Sequence, residues 1–133
     1  IDKPCISHLK GRVDFLLKAG EVQLADILIG SREYELFFQM TEVDQPLIGR
    51  GEASALALAK FRGGIVASNN LRDVRRYVQG LNLELMTTGD ILALAYEQKI
   101  ITKVQGNQMW REMLSHKRKL GANSFSEFLK RKS

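Results

Sequence analysis

Apolar residues in the first third of the chain recur at spacings typical of helices, apart from one mostly apolar run that includes Asp26. That run, at residues 24–29, predicts a buried strand that ends at Gly30. Ser31 has the residue type of a helix N-cap, and Pro46 with the nearby glycines predicts a loop over residues 41–51. A helix is predicted near residues 9–19, with an apolar side formed by Leu9, Val13, Leu16 and Leu17. A second helix is predicted after Ser31, with an apolar side formed by Tyr34, Phe37, Phe38 and Met40.

From Gly51 onward the pattern alternates between helix and strand, with Gly or Asn between short elements. Apolar runs at residues 65–67 and 83–86 predict two strands, each followed by a helix. This alternation is typical of βαβ units, so we expect an α/β fold with a short, mostly parallel sheet flanked by helices. Two more helices are predicted near residues 103–118 and 124–131.

Positive charge is concentrated at one end of this chain, which we expect to form a single domain over residues 1–133. The formal net charge is +5 at pH 7. Residues 103–133, a basic helical segment, hold eight Lys or Arg and two Glu, a net charge of +6, which leaves −1 for the α/β body at residues 1–102. Clustered basic residues are typical of a surface that binds nucleic acid, although a solvated helix face explains a short basic run equally well. The candidate contacts to nucleic acid are Arg72, Arg75, Arg76, Lys117, Arg118, Lys119, Lys130, Arg131 and Lys132.

The composition indicates a chain that buries a core of its own, since 44% of its residues are hydrophobic. No apolar run reaches the roughly 20 residues that a membrane helix needs, and the single cysteine, Cys5, cannot form an internal disulfide. We therefore expect a soluble, cytoplasmic chain with no membrane partner. Trp110 and Phe125 lie at helical spacing with other apolar residues, which favours a place in the core over stacking on nucleotide bases.

Three carboxylates lie near the starts of predicted helices. Glu52 opens a helix of small residues, whereas Asp73 and Asp90 follow the two strands. Ligand crevices in open α/β sheets lie beyond the carboxyl ends of the strands, where these acids could converge. Carboxylates brought together repel one another unless a cation lies among them, and Mg²⁺ or Mn²⁺ prefers such oxygen ligands. The alternative is structural, because a helix dipole favours an acid at its first turn and both aspartates have a capping residue three positions earlier: Asn70 and Thr87.

Three segments, in this order and spacing, resemble the second half of a PIN domain. They are residues 51–59 (GEASALALA), residues 65–73 (IVASNNLRD) and residues 87–92 (TTGDIL), within a stretch of best likeness from about Leu47 to Thr102. PIN domains are compact three-layer α/β/α nucleases; many are ribonucleases, and many are the toxins of toxin–antitoxin pairs. Their active site gathers three or four acids around Mg²⁺ or Mn²⁺. The resemblance therefore implies a PIN-like three-layer fold and a Mg²⁺ or Mn²⁺ cofactor.

The resemblance also implies which acids surround the ion. Glu52 matches the acid that opens the small-residue helix, Asp73 the acid after the following strand, and Asp90 a less regular fourth position. Asp2 matches the acid after the first strand, most of which would precede this chain, and Glu35 resembles the acid on the helix after the second strand. The implied catalytic acids are Glu52, Asp73, Asp90 and Asp2, and the implied metal ligands are these four together with Glu35.

The function expected from these features is a metal-dependent ribonuclease that cleaves phosphodiester bonds, with the basic segment binding the nucleic-acid backbone. Two alternatives stay open at this point. One is a catalytically inactive PIN-like module that binds nucleic acid or protein, and the other is a phosphatase-like hydrolase of small phosphate esters. The expected partner is RNA or another nucleic acid. An antitoxin or other regulatory protein, and a second copy of the chain in a homodimer, are further candidates.

Overall fold

The computed structural model describes residues 7–132 of the chain, with side chains from Gly11 onward. Within this range the helices are α1 Ser7–Lys18, α2 Arg32–Phe38, α3 Arg50–Arg62, α4 Leu71–Gly80, α5 Thr88–Glu97, α6 Lys103–Ser115 and α7 Phe125–Lys132, and the strands are β1 Ile65–Ala67 and β2 Glu84–Met86. A π-helical turn at Gln39–Val43 follows α2 directly. None of the described helices is both long and apolar enough to cross a membrane.

β1 and β2 form a parallel two-stranded sheet in which Val66 lies opposite Leu85. Parallel neighbours need a crossover connection, and α4 supplies it. Beyond the end of β1, the Ser68 N–H donates to the Met86 carbonyl at 3.0 Å. The predicted short parallel sheet is present, and the structure is compatible with the predicted α/β class, although it is mostly helical, with 61% of the described structure in helices.

α3 lies at the centre of the first hydrophobic cluster. Its Ala53, Leu56 and Ala57 have no exposed surface, and Val66 of β1 belongs to the same cluster. The small alanine side chains allow close packing of α3 against its neighbours, as protein interiors require. Because Glu52 directly precedes this buried face, the packing of the helix sets where the Glu52 backbone lies.

α5, α6 and α7 form a second hydrophobic cluster, so the basic C-terminal segment packs against the α/β body. Ala93, Trp110 and Phe125 are fully buried in it. The Trp110 indole N–H donates to the Ala122 carbonyl at 2.9 Å, and the Trp110 and Phe125 ring centroids are 6.0 Å apart. The predicted core position of Trp110 and Phe125 is confirmed, and burial removes both rings from contact with nucleotide bases.

The prediction of a strand at residues 24–29 is wrong. Residues 23–28 have no regular secondary structure, and Leu24, Leu28 and Ile29 are 84%, 69% and 84% exposed. A strand needs a neighbour to pair its backbone groups, and the sheet in the described part of the chain consists of β1 and β2. A mostly apolar run of six residues does not show by itself whether such a neighbour exists.

The loop predicted at residues 41–51 is shorter in the structure, because helical structure extends into it from both ends. Arg76 of α4 holds the remaining loop. Its guanidinium donates to the carbonyl of Gln45 at 3.0 Å and to the carbonyl of Pro46 at 2.7 Å. These bonds fix the chain just ahead of α3.

Candidate acidic site at the end of the sheet

The loop after β1 and the first turn of α3 bring two of the predicted acids together. Asn70 occupies the N-cap position of α4, and Asp73 lies in the first turn of that helix. Glu52 lies in the first turn of α3. Asp73 and Glu52 are both partly buried, whereas Asn70 is exposed. The three residues therefore come from two helix N-termini beside the carboxyl end of β1.

A single amide group joins the two carboxylates. The Asn70 Nδ2 donates to Asp73 Oδ2 at 2.9 Å and reaches Glu52 Oε1 at 3.4 Å. The first distance is that of an ordinary hydrogen bond, and the second is near the long limit. We call these residues the Glu52–Asn70–Asp73 cluster. Both carboxylate oxygens lie within 3.4 Å of one nitrogen atom, so an amide dipole partly offsets their mutual repulsion.

Gly49 makes room for this arrangement. A Cβ atom built at Gly49 would lie 2.5 Å from Glu52 Oε2, which means that the Glu52 side chain turns back over the glycine. Sequence reasoning did not identify Gly49 or the bridging role of Asn70. Gly49 could have been found in the sequence as a glycine three residues before an acid that opens a helix. Asn70 could have been found as an amide residue between a predicted strand and the acid that follows it.

The capping interpretation holds for Asp90 and not for Asp73. Thr87 and Asp90 form a complete capping box: the Asp90 N–H donates to Thr87 Oγ1 at 3.2 Å, and the Thr87 N–H donates to Asp90 Oδ2 at 2.9 Å. Asn70 makes no side-chain cap bond to α4, and its amide instead faces Asp73 and Glu52. The same spacing therefore produces a cap at one helix and a bridged pair of acids at the other.

Asp90 is further engaged by an ion pair from α7. Lys132 Nζ lies 2.9 Å from Asp90 Oδ1. Burial alone would raise the pKa of Asp90, but hydrogen bonds from the Thr87 N–H and hydroxyl and from the Lys132 ammonium outweigh burial and lower the pKa below 3.8. The two Asp90 oxygens are therefore engaged by the helix cap and by the ion pair. The Asn70 amide bonds to Asp73 and Glu52 instead.

The remaining predicted ligands do not complete the set within the described residues. Glu35 is exposed on α2, and Asp2 lies outside the residues that the structure describes. Across residues 7–132, no group of three or more His, Cys, Asp or Glu side chains is positioned to hold a metal ion. The cluster contributes two carboxylates and one amide.

A cavity of about 500 Å³ opens beside the cluster, at the carboxyl end of the sheet. Its lining includes Asn70 and Asp73 of the cluster, together with Asn69 and Thr87 from the loops after the two strands. Asn69 ties those loops together, because its Oδ1 accepts from the Thr88 N–H at 2.8 Å and its Nδ2 donates to Thr88 Oγ1 at 2.7 Å. The cavity thus has a polar wall held by hydrogen bonds between the loops that follow β1 and β2.

The nine predicted basic contacts fall into groups with different surroundings. Arg72 and Lys119 line the cavity that contains Asp73. Arg75 and Arg76 line a neighbouring depression on α4, and Lys130 and Lys132 line another beside α6 and α7. Four of the nine interact within the protein: Arg76 with loop carbonyls, Arg131 with Glu127 and the Gly121 carbonyl, Lys132 with Asp90, and also Lys130. Lys117 and Arg118 are exposed in the segment that follows α6, as is Lys119.

Comparison of this chain with models of known protein families, with curated proteins and with solved structures gives no match. Any assignment of function consequently depends on the acidic cluster, the cavity beside it and the distribution of basic side chains.

Proposed function

We propose that this chain is a metal-dependent ribonuclease of PIN type, in which Glu52 and Asp73 hold Mg²⁺ or Mn²⁺. The observation that carries the proposal is the Glu52–Asn70–Asp73 cluster, in which two carboxylates from different helices face one nitrogen atom. On this proposal the two-stranded sheet and its helices are the second half of a PIN-like three-layer fold. Asp2 remains a predicted ligand from the first half, and the protein acts in the cytoplasm.

The donor atoms of the cluster fit a hard divalent cation. Mg²⁺ in proteins is commonly held by one or two carboxylates, with water and substrate phosphates filling its other positions. Glu52 and Asp73 supply the carboxylates. Turning the Asn70 amide over would present Oδ1 in place of Nδ2 and add a neutral oxygen ligand. Asp90 stands outside this proposed set because its oxygens serve Thr87 and Lys132.

The proposed chemistry is hydrolysis of a phosphodiester. A bound divalent cation lowers the pKa of a water molecule and offsets charge on the phosphate. Glu52 and Asp73 would hold the cation at the carboxyl end of the sheet. Arg72 and Lys119 would attract the phosphate into the adjoining cavity. Contacts of this kind to the phosphate carry no sequence information, so they bind any nucleic-acid strand.

Mn²⁺ binding and Mn²⁺-dependent RNA cleavage test the proposal together. Asp73→Asn and Glu52→Gln should each lower Mn²⁺ affinity by more than about 100-fold, because loss of an outer partner alone typically costs about 10–100-fold. Calorimetry measures the affinity, and a fluorescent single-stranded RNA reports cleavage. Asp14→Asn, an exposed acid on α1, is the matched control and should change neither. Unchanged cleavage in both cluster variants would refute the metal site.

A specific observation also favours the second candidate, a non-catalytic nucleic-acid-binding module on the same scaffold. The Asn70 amide already bridges the two carboxylates, and Asp90 is a helix cap with an ion pair. On this alternative the acids are structural. RNA binding in EDTA, without cleavage when Mn²⁺ is added, would support the module over the enzyme.

A further inference from the structure

We infer that the cavity beside Asp73 binds one nucleotide unit of a single strand, with Arg72 and Lys119 on its phosphate and Leu71 and Leu120 against its base. The inference deepens the proposed function by naming the substrate class of that site, and it rests on that proposal only for the cleavage step. Binding itself needs no metal ion. An experiment can therefore refute nucleotide binding in the cavity and metal-dependent cleavage independently of each other.

The size and lining of the cavity suit a single nucleotide. At about 500 Å³ it falls within the range of about 300–1,000 Å³ that small-ligand sites occupy. Its lining combines two cations, a carboxylate, amides and two leucines from different elements. A double helix cannot enter a space of this size, but one nucleotide of a single strand can.

Some polar groups of the cavity lining are bonded within the protein, and others are available to a ligand. The Asn69 amide bonds to Thr88, and the Thr87 hydroxyl bonds to Asp90. Among the side chains described from Gly11 to Lys132, by contrast, those of Arg72 and Lys119 have no hydrogen-bond or ion-pair partner. The lining therefore carries two positive charges and the single negative charge of Asp73, a balance that favours an anion.

The two cations of the cavity come from separate elements. Arg72 lies in the first turn of α4, and Lys119 lies in the connection between α6 and α7. Arg131 of α7 holds that connection, because its Nη1 donates to the Gly121 carbonyl at 2.7 Å and its Nη2 lies 2.6 Å from Glu127 Oε1. Arg131 thus acts as a positioning residue for the segment that carries Lys119. Two cations from separate elements that line one cavity can both donate charge-assisted hydrogen bonds to one phosphate.

Two leucines in the lining favour a nucleotide over inorganic phosphate. Leu71 and Leu120 are partly buried and line the same cavity as the two cations. Apolar side chains add affinity only for a ligand that has an apolar face, and every nucleobase has one. A nucleoside monophosphate should therefore bind more tightly than inorganic phosphate.

The experiment is titration of the full chain with adenosine 5′-monophosphate in EDTA, followed by calorimetry and by amide chemical shifts. Lys119→Ala and Arg72→Ala should each weaken binding by about tenfold or more, as expected for loss of a charge-assisted hydrogen bond. Lys60→Ala, an exposed lysine on α3, is the charge-matched control and should change the dissociation constant less than about twofold. Inorganic phosphate should bind more weakly than the nucleotide.

Three outcomes would overturn the inference. They are absence of saturable nucleotide binding, equal binding of inorganic phosphate and nucleotide, and an equal loss in Arg118→Ala, which lies beside Lys119 but outside the cavity lining. Glu52→Gln separates the two proposals, because Glu52 is not part of the cavity lining: the variant should lose Mn²⁺-dependent cleavage without weakening nucleotide binding in EDTA. Nucleotide binding that depends on Lys119 in a chain with no cleavage under any condition would refute the nuclease and support the cavity.

Discussion

Gly49 is the residue through which the position of the Glu52 carboxylate can be tested without altering either acid. Its φ of −66° and ψ of 156° suit alanine, so Gly49→Ala should leave the fold intact. The added Cβ would lie 2.5 Å from Glu52 Oε2, the far end of a flexible side chain, so the carboxylate should turn away. We expect Mn²⁺ affinity to fall by about tenfold with little change in melting temperature.

The control for this prediction is Gly51→Ala, where an added Cβ meets open space. Calorimetry measures the Mn²⁺ affinity of both variants, and thermal denaturation measures their melting temperatures. If Gly49→Ala binds Mn²⁺ as the parent chain does, the Glu52 carboxylate is not a ligand in its present position.

Asp90 gives a pH-dependent prediction at the same scale. Its pKa is lowered in the folded chain, since hydrogen bonds from Thr87 and Lys132 outweigh burial. A lowered folded pKa means that the stability Asp90 contributes is present above its unfolded pKa of about 3.9 and is lost as pH falls through the folded value. Lys132→Ala should therefore move the titration of Asp90 upward and cost about 0.5 kcal/mol near neutral pH, because the pair is partly exposed. Carboxyl chemical shifts measure the titration, and an unchanged Asp90 midpoint would contradict the ion pair.

At the scale of elements, the strands and helices that could be predicted are those whose boundaries are marked by residues of their own segment. β1 and β2 are brief apolar runs bounded by Gly, Asn or Thr, and α5 has the Thr87 cap that its sequence indicates. The run at residues 24–29 is also bounded by a glycine, Gly30, but it forms no strand in the structure, and the presence of a partner strand cannot be inferred from the run itself. The convergence of Glu52 and Asp73 followed from the strand-end rule, whereas the Asn70 bridge did not, since Asn-x-x-Asp fits a capping box equally well.

The contact between α6 and α7 depends on a glycine. A Cβ at Gly106 would collide with the Phe125 ring, which is fully buried beside Trp110. Alanine in place of glycine favours a helix by about 1 kcal/mol, but overpacking a rigid ring costs about 1–3 kcal/mol. Gly106→Ala should therefore lower the free energy of unfolding by up to about 2 kcal/mol in urea denaturation. Gly51→Ala in α3 should be neutral or stabilising, and equal effects at both sites would show that α6 and α7 do not pack through Gly106.

At the scale of the whole molecule, the second hydrophobic cluster turns the basic segment into part of the body. Trp110 and Phe125 anchor α6 and α7 against α5, and the connection between those helices carries Lys119 to the cavity beside Asp73. The composition alone placed the charge of +6 in residues 103–133 without showing which cations meet the acidic site. The packing of α6 and α7 against α5 determines that Lys119, among the basic residues of this segment, lines the cavity beside Asp73.

This selection predicts how RNA binding responds to salt. For a single strand, the slope of log affinity against log salt concentration is about −0.7 per phosphate contact, because each contact releases a counterion. Lys119→Ala in EDTA should reduce the magnitude of the slope by about 0.7. Arg76→Ala should leave the slope unchanged, since its guanidinium already donates to the Gln45 and Pro46 carbonyls. Fluorescence anisotropy of a labelled oligonucleotide at several salt concentrations measures both slopes. Equal reductions would mean that RNA contacts the basic surface diffusely, whereas a reduction confined to Lys119 would mean that the fold directs the strand to the acidic end of the sheet.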